Sequence, residues 1–187
     1  MVKVMSKQFT PALASQYRMV HTRDRREIMS SGRDADFSTT MRGRVEAWLR
    51  DEGWSVEARE NPDARWMLMA VHPVTHVLMV VVQRLSSRDQ IILSTGWRFS
   101  AELQQDVAAL PQEGRHQLIY DLHSPLLLLG VEYEGVREPF RHMAFSVPLY
   151  FDGLTKDLFM ARTITIRNAL HVAQNVVARS LRQPPPR

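Results

Sequence analysis

Apolar residues recur at every second position in the first half of the chain, which is the pattern of half-buried β-strands. Residues 54–59 alternate strictly between apolar and polar side chains. Two apolar runs follow, Trp66–Val71 and Val77–Val82, and Ile91–Leu93 opens a further strand after another turn. Four strands at a spacing of roughly ten residues, joined by short polar turns, predict an antiparallel meander.

A helical period of three and four residues flanks this meander. It predicts a first helix over about residues 40–52 and a second over Ser100–Leu110, where Ser100 can cap the N-terminus. Residues Arg115–Leu129 form the third predicted helix. Pro125 lies inside it and lacks the backbone N–H that a helix interior needs, so we expect a kink or a break near Leu122.

The last third is predicted as strands and one final helix. Residues Val131–Glu134 and His142–Phe151 read as extended, and Leu158–Ile166 is predicted as a strand because it ends in four consecutive residues that are all β-branched. Residues Asn168–Leu181 then form a helix. The fold class is therefore α+β, an antiparallel sheet of five to six strands with helices on one face, in the order α-ββββ-αα-ββ-α.

The chain divides into three parts by composition. Residues 1–40 hold seven Lys and Arg against four Asp and Glu, which accounts for most of the net charge of +4. We predict a mobile basic arm over 1–38, a single α+β domain over 39–182 and a disordered Pro-rich tail over 183–187. The alternative of an early start codon ahead of Met41 stays open.

Composition excludes several kinds of chemistry. The chain has no cysteine, so disulfides, thiolate zinc sites, iron–sulfur clusters and cysteine nucleophiles are ruled out. The apolar runs Val77–Val82 and Pro125–Gly130 are far shorter than the ~20 residues of a membrane-spanning helix. The first residues carry no run of signal-peptide length. We expect a soluble cytoplasmic protein without a membrane association.

Sequence motifs give no catalytic signature. The glycines form neither of the phosphate-binding loops, and the GxSxG nucleophile elbow is missing. We therefore expect no catalytic residue, cofactor or metal, and a metal-dependent enzyme using a His/Asp/Glu cluster is the alternative. The residues considered as its ligands or acid–base groups are His72, His76, His116, Asp121, His123, Glu132, Glu134, Asp152 and Asp157.

The basic arm offers a second alternative, nucleic-acid binding. Arg23, Arg25, Arg26 and Arg33 could contact phosphates in a salt-sensitive way. Acidic residues are interleaved among these four arginines, and no aromatic residues accompany them as a stacking platform for bases. We therefore rank nucleic acid below protein as a partner.

Four local segments resemble an uncharacterised prokaryotic family assigned to the type III secretion chaperone-like (YbjN-like) fold. They are Asn61-Pro-Asp-Ala-Arg-Trp66, Arg88-Asp-Gln-Ile-Ile92, the stretch Leu118–Val131 and Val147-Pro-Leu-Tyr-Phe-Asp-Gly-Leu-Thr155. The resemblance covers roughly Met41 to Leu181. It implies that fold and carries no catalytic motif with it.

The apolar strands suggest a binding surface for protein. Their side chains exceed what a few helices on one face easily cover, and methionine is frequent among them, as on adaptable binding surfaces. The predicted partner-binding residues are Trp66, Leu68, Val77, Met79 and Val81. We expect a non-catalytic protein-binding module, chaperone-like or adaptor-like, that acts as a homodimer with a partner whose identity the sequence does not give.

Overall fold

The computed structural model describes residues 32–182, and these residues form an α+β fold. Its helices are α1 (Gly32–Asp51), α2 (Ala101–Ala109), α3 (Gln112–Leu128) and α4 (Lys156–Ser180). Its strands are β1 (Ser55–Arg59), β2 (Ala64–Val71), β3 (Leu78–Arg84), β4 (Gln90–Arg98), β5 (Glu132–Glu134) and β6 (His142–Tyr150). The predicted class and the order α-ββββ-αα-ββ-α are confirmed.

The six strands form one antiparallel sheet in the order β1-β2-β3-β4-β6-β5. Register places Leu68 opposite Val81, Val81 opposite Leu93, and Leu93 opposite Val147. All four side chains are buried, so a continuous apolar row crosses the centre of the sheet on one face. Burial of rows of this kind is the main stabilising contribution of the fold.

The helices pack against this buried face. Helix α1 lies against β1 and β2, α4 lies against β4 and β6, and α3 packs on α4. Trp48 of α1 meets Phe159 of α4 with ring centroids 5.7 Å apart, so the two helices share one apolar layer. No helix among residues 32–182 is both long and apolar enough to cross a bilayer.

The predicted strand Leu158–Ile166 is wrong, because these residues lie inside α4. Thr155 caps the helix by accepting a hydrogen bond from the backbone N–H of Leu158. Buried Phe159, Thr163 and Ile166 recur three and four positions apart, and the Thr163 hydroxyl donates to the Phe159 carbonyl. Tertiary burial at a helical period therefore outweighs the weaker intrinsic preference of β-branched residues for strands.

Two helix boundaries also differ from the prediction. Helix α1 begins at Gly32, so residues 32–38 belong to a helix and not to the predicted arm. Helix α3 continues through Pro125 to Leu128, so of the predicted kink or break near Leu122 the break is wrong. Residues 1–31 and the tail 183–187 lie outside the described part of the chain.

Helix α4 generates the first testable prediction. Phe159→Ala should lower the free energy of unfolding by about 3–5 kcal/mol, because it removes a fully buried ring from the layer between α1 and α4. Leu158→Ala is the matched control, since Leu158 is 39% exposed. Urea denaturation of both variants measures the difference. Equal losses for the two variants would contradict the position of Phe159 in the core.

Candidate functional site

The sheet face opposite the helices is partly buried, and we call it the open face. Most of its residues are half-buried, whereas Met67, Ser94 and Gly96 are buried. It consists of the side chains that alternate with the buried rows, and its members are Met67, Met69, Val71, Leu78, Val80, Val82, Ile92, Ser94, Gly96, Ala144, Ser146 and Pro148. Most of them are apolar, and Val80 and Val82 lie near the middle. A face of this composition is a candidate surface for a protein partner.

Rows of paired residues cross the open face from strand to strand. In one row Met67 faces Val82, Val82 faces Ile92, and Ile92 faces Pro148. The next row places Met69 opposite Val80 and then continues through small, polar residues towards β5. The apolar area is therefore concentrated over β2, β3 and the first half of β4.

Charged residues border the open face on both sides. On β1, Arg59 pairs with Glu57 at 2.9 Å. On β5, Glu132 and Glu134 are exposed, and Glu132 accepts a hydrogen bond from the Ser146 hydroxyl at 3.3 Å. An apolar centre within a polar rim is the usual anatomy of a protein interface. The two glutamates that sequence reasoning noted as a carboxylate pair thus belong to this rim.

The predicted partner-binding residues lie on the face that the helices cover. Trp66, Leu68, Val77, Met79 and Val81 are all buried, with at most 9% of each residue exposed, and they belong to the core. They lie on or next to β2 and β3, and residues 78–82 are apolar at every position. Such a run does not reveal which of its two faces the helices cover.

The residues that sequence reasoning missed are the alternate members of the same runs. Leu78, Val80, Val82 and Ile92 are half-buried and point away from the helices. Their only sequence signal is the continuous apolar character of β3, which would ordinarily indicate a strand covered on both faces.

Histidine and aspartate candidates on α3 are engaged in separate local contacts. His123 Nδ1 lies 2.7 Å from the Tyr133 hydroxyl, and Asp121 accepts a hydrogen bond from the Gln117 side chain at 2.7 Å. His116 is exposed on the same helix. Within residues 38–182, no three His, Asp or Glu side chains are grouped closely enough to hold a metal ion.

The two aspartates near α4 lie where they stabilise the turn and the helix, and the four arginines of the predicted arm lie outside or at the start of the described residues. Asp152 lies in the turn before α4, where Gly153 has a positive φ of 72°, and Asp157 lies in the first turn of α4. A carboxylate there interacts favourably with the helix N-terminus. Arg23, Arg25 and Arg26 fall outside the described residues, and the structure places only the backbone of Arg33, in the first turn of α1.

His72 is held in the turn between β2 and β3. Its Nδ1 accepts hydrogen bonds from the backbone N–H groups of Val74 and Thr75, at 3.3 and 3.1 Å, and its ring meets Trp54 edge-on. Burial lowers the pKa of His72 below its ordinary value of 6.5, and the charges of Arg167 and His76 lower that pKa further. An Nδ1 that accepts two N–H groups carries no proton, so the turn requires the neutral ring.

The fold defines a class of protein, a six-stranded antiparallel sheet with helices packed on one side and an apolar face on the other. The chain belongs to the family described as "Uncharacterized conserved protein (DUF2299)", whose model matches residues 41–175. A crystal structure of an uncharacterised protein from Methanothermobacter thermautotrophicus has the same fold, with a TM-score of 0.67 and 22% sequence identity. That similarity covers 74% of this chain and 97% of the other. No curated protein matches the chain.

His72 gives a testable pH dependence. Because its pKa is lowered in the folded state, the unfolded state binds a proton that the folded state does not, and His72 therefore destabilises the fold as the pH falls below 6.5. His72→Asn removes the titrating ring and keeps a side-chain acceptor for the turn. Urea midpoints from pH 8 to pH 5 should fall more steeply for the wild type. Parallel curves for the two proteins would refute the linkage.

Proposed function

We propose that this protein is a non-catalytic protein-binding module, chaperone-like or adaptor-like, that acts in the cytoplasm as a homodimer whose two copies pack open face against open face. The observation that supports it is the apolar centre of the open face, formed by Met69, Val80, Val82 and Ile92. We call it chaperone-like because local segments resemble a family with the type III secretion chaperone-like fold. That the chain has this particular fold is itself part of the proposal.

The area of the open face suits a dimer interface. The face is six strands wide and about seven residues deep. With strands about 4.8 Å apart and a rise of about 3.3 Å per residue, its area is roughly 550 Å². Two such faces together bury about 1,100 Å², slightly above the ~1,000 Å² expected of a specific interface. At ~25 cal/mol per Å² of apolar surface, removing the centre from water favours association.

Symmetry makes a second copy a fitting occupant. Two sheets commonly pack about 10 Å apart with strands nearly aligned. A two-fold axis parallel to the strands would bring the β1 side of one copy over the β5 side of the other, since the rotation exchanges the two edges of the sheet. Arg59 and Glu57, which pair with each other, would then lie on the same side as Glu132 and Glu134 of the other copy. The apolar centres of the two copies would meet.

Sedimentation equilibrium at low micromolar concentration tests the dimer. We expect the wild type to sediment as a dimer and Val80→Glu to sediment as a monomer, because the variant places a charge at the centre of the buried interface. Val74→Glu is the matched control, since Val74 is 78% exposed in the turn between β2 and β3. That variant should remain dimeric.

A folded monomeric wild type would overturn the proposal, and so would a Val80→Glu variant that dimerises as tightly as the control. Far-ultraviolet circular dichroism and urea denaturation establish that both variants are folded. Met69→Lys provides a second substitution on the neighbouring strand, directly opposite Val80. If Val80→Glu and Met69→Lys are both folded and both monomeric, the cause is loss of the interface and not a local defect in β3.

A further inference from the structure

The loop between β5 and β6, residues 135–141, borders a cavity of about 680 Å³ at the end of the sheet. The loop is fixed by its own sequence. Val136 and Phe140 are buried, and the Phe140 ring stacks on Phe99 with centroids 5.9 Å apart and planes 6° from parallel. Gly135 has a φ of 80°, and a Cβ there would lie 2.0 Å from the His142 carbonyl oxygen. Only glycine fits this tight approach.

An ion pair ties the loop to the helices. Arg115 of α3 donates from Nε to Glu138 at 3.0 Å, and its Nη1 donates to the Leu110 carbonyl at the end of α2. The Arg115 side chain is 24% exposed and the Glu138 side chain 42%, so solvent reaches the contact. The pair also offsets the negative charge of Glu138 next to the cavity. A fixed loop of this kind can hold side chains in place for a ligand.

Two exposed arginines, Arg137 and Arg141, line the cavity. Neither guanidinium pairs with an acidic group or donates a hydrogen bond among the described residues. They bracket the fixed segment of Glu138, Pro139 and Phe140, so the backbone sets their separation. Unpaired cations on a rigid concave surface attract anions.

We propose that the loop between β5 and β6 binds a small oxyanion, a phosphate or a carboxylate, between the guanidinium groups of Arg137 and Arg141. The planar guanidinium matches both anions because it donates two parallel N–H groups to two oxygens. His142 is a further polar residue on the cavity wall. This site involves other residues than the apolar centre of the open face and does not depend on the proposed dimer.

Glu134 opposes the anion and gives the proposal a sharp test. It lies on the same cavity wall, is exposed, and has no cationic partner among residues 38–182. Its carboxylate repels a bound anion, so Glu134→Gln should strengthen binding. The direction of this effect distinguishes a site at this cavity from general attraction to a basic protein, because other exposed carboxylates should have smaller effects.

Isothermal titration of the full chain with inorganic phosphate, and separately with malonate, measures the affinity at low salt. Replacing Arg137 and Arg141 together by Gln should weaken binding by about tenfold or more, since charge-assisted hydrogen bonds are lost. Replacing Arg162 and Arg179 of α4 by Gln removes the same charge elsewhere and should leave the affinity unchanged.

The pattern of results decides the proposal. If the Arg137/Arg141 double variant loses more phosphate affinity than the Arg162/Arg179 double variant, and malonate shows no such difference, the site binds phosphate. If only malonate shows that difference, the site binds carboxylate. Equal effects of the two double variants would overturn the site, as would no binding of either anion. Thermal unfolding of every variant without ligand shows that the loop substitutions leave the fold intact.

Discussion

An antiparallel sheet has two faces, and in this fold the helices bury one of them. The row through Leu68, Val81, Leu93 and Val147 is buried, while the adjacent row that contains Val80 is largely half-buried. Because side chains alternate between the faces, every additional apolar residue on β3 must lie on one or the other. The apolar residues of β3 that the helices do not cover therefore lie on the open face, and the proposed function rests on them.

Much of the fold could be predicted because its signals are local. Strict alternation identified β1, and Ser100 does cap α2 by accepting the Leu103 N–H. Prediction failed over α4, where the β-branched residues Thr163–Ile166 favour a strand locally and the core spacing of Phe159, Thr163 and Ile166 favours a helix. It also failed to choose the face of β3, since the position of the helices is a tertiary property that a continuous apolar run does not encode.

The candidate chemistry could be predicted less well, because it depends on distances across the fold. The sequence suggested His72 and His123 as metal ligands. In the structure His72 accepts hydrogen bonds within a turn, and His123 contacts the Tyr133 hydroxyl. Sequence spacing placed His116 and His123 on one helix but could not supply a third ligand from elsewhere. The arginines at the loop gave no motif at all. They become distinctive because Arg115 neutralises Glu138, while Arg137 and Arg141 have no acidic partner in the part of the chain that the structure describes.

The edges of the sheet favour the proposed docking on the open face over strand addition at an edge. Strand β5 is only three residues long and carries two exposed glutamates, and charged residues on a short edge strand discourage pairing with another chain. On β1, Arg50 donates to the Val56 carbonyl at 3.1 Å, and Glu57 and Arg59 present charge along the strand. Strand addition would have to displace these groups. Packing on the open face removes its apolar centre from water and requires no rearrangement of the edge strands.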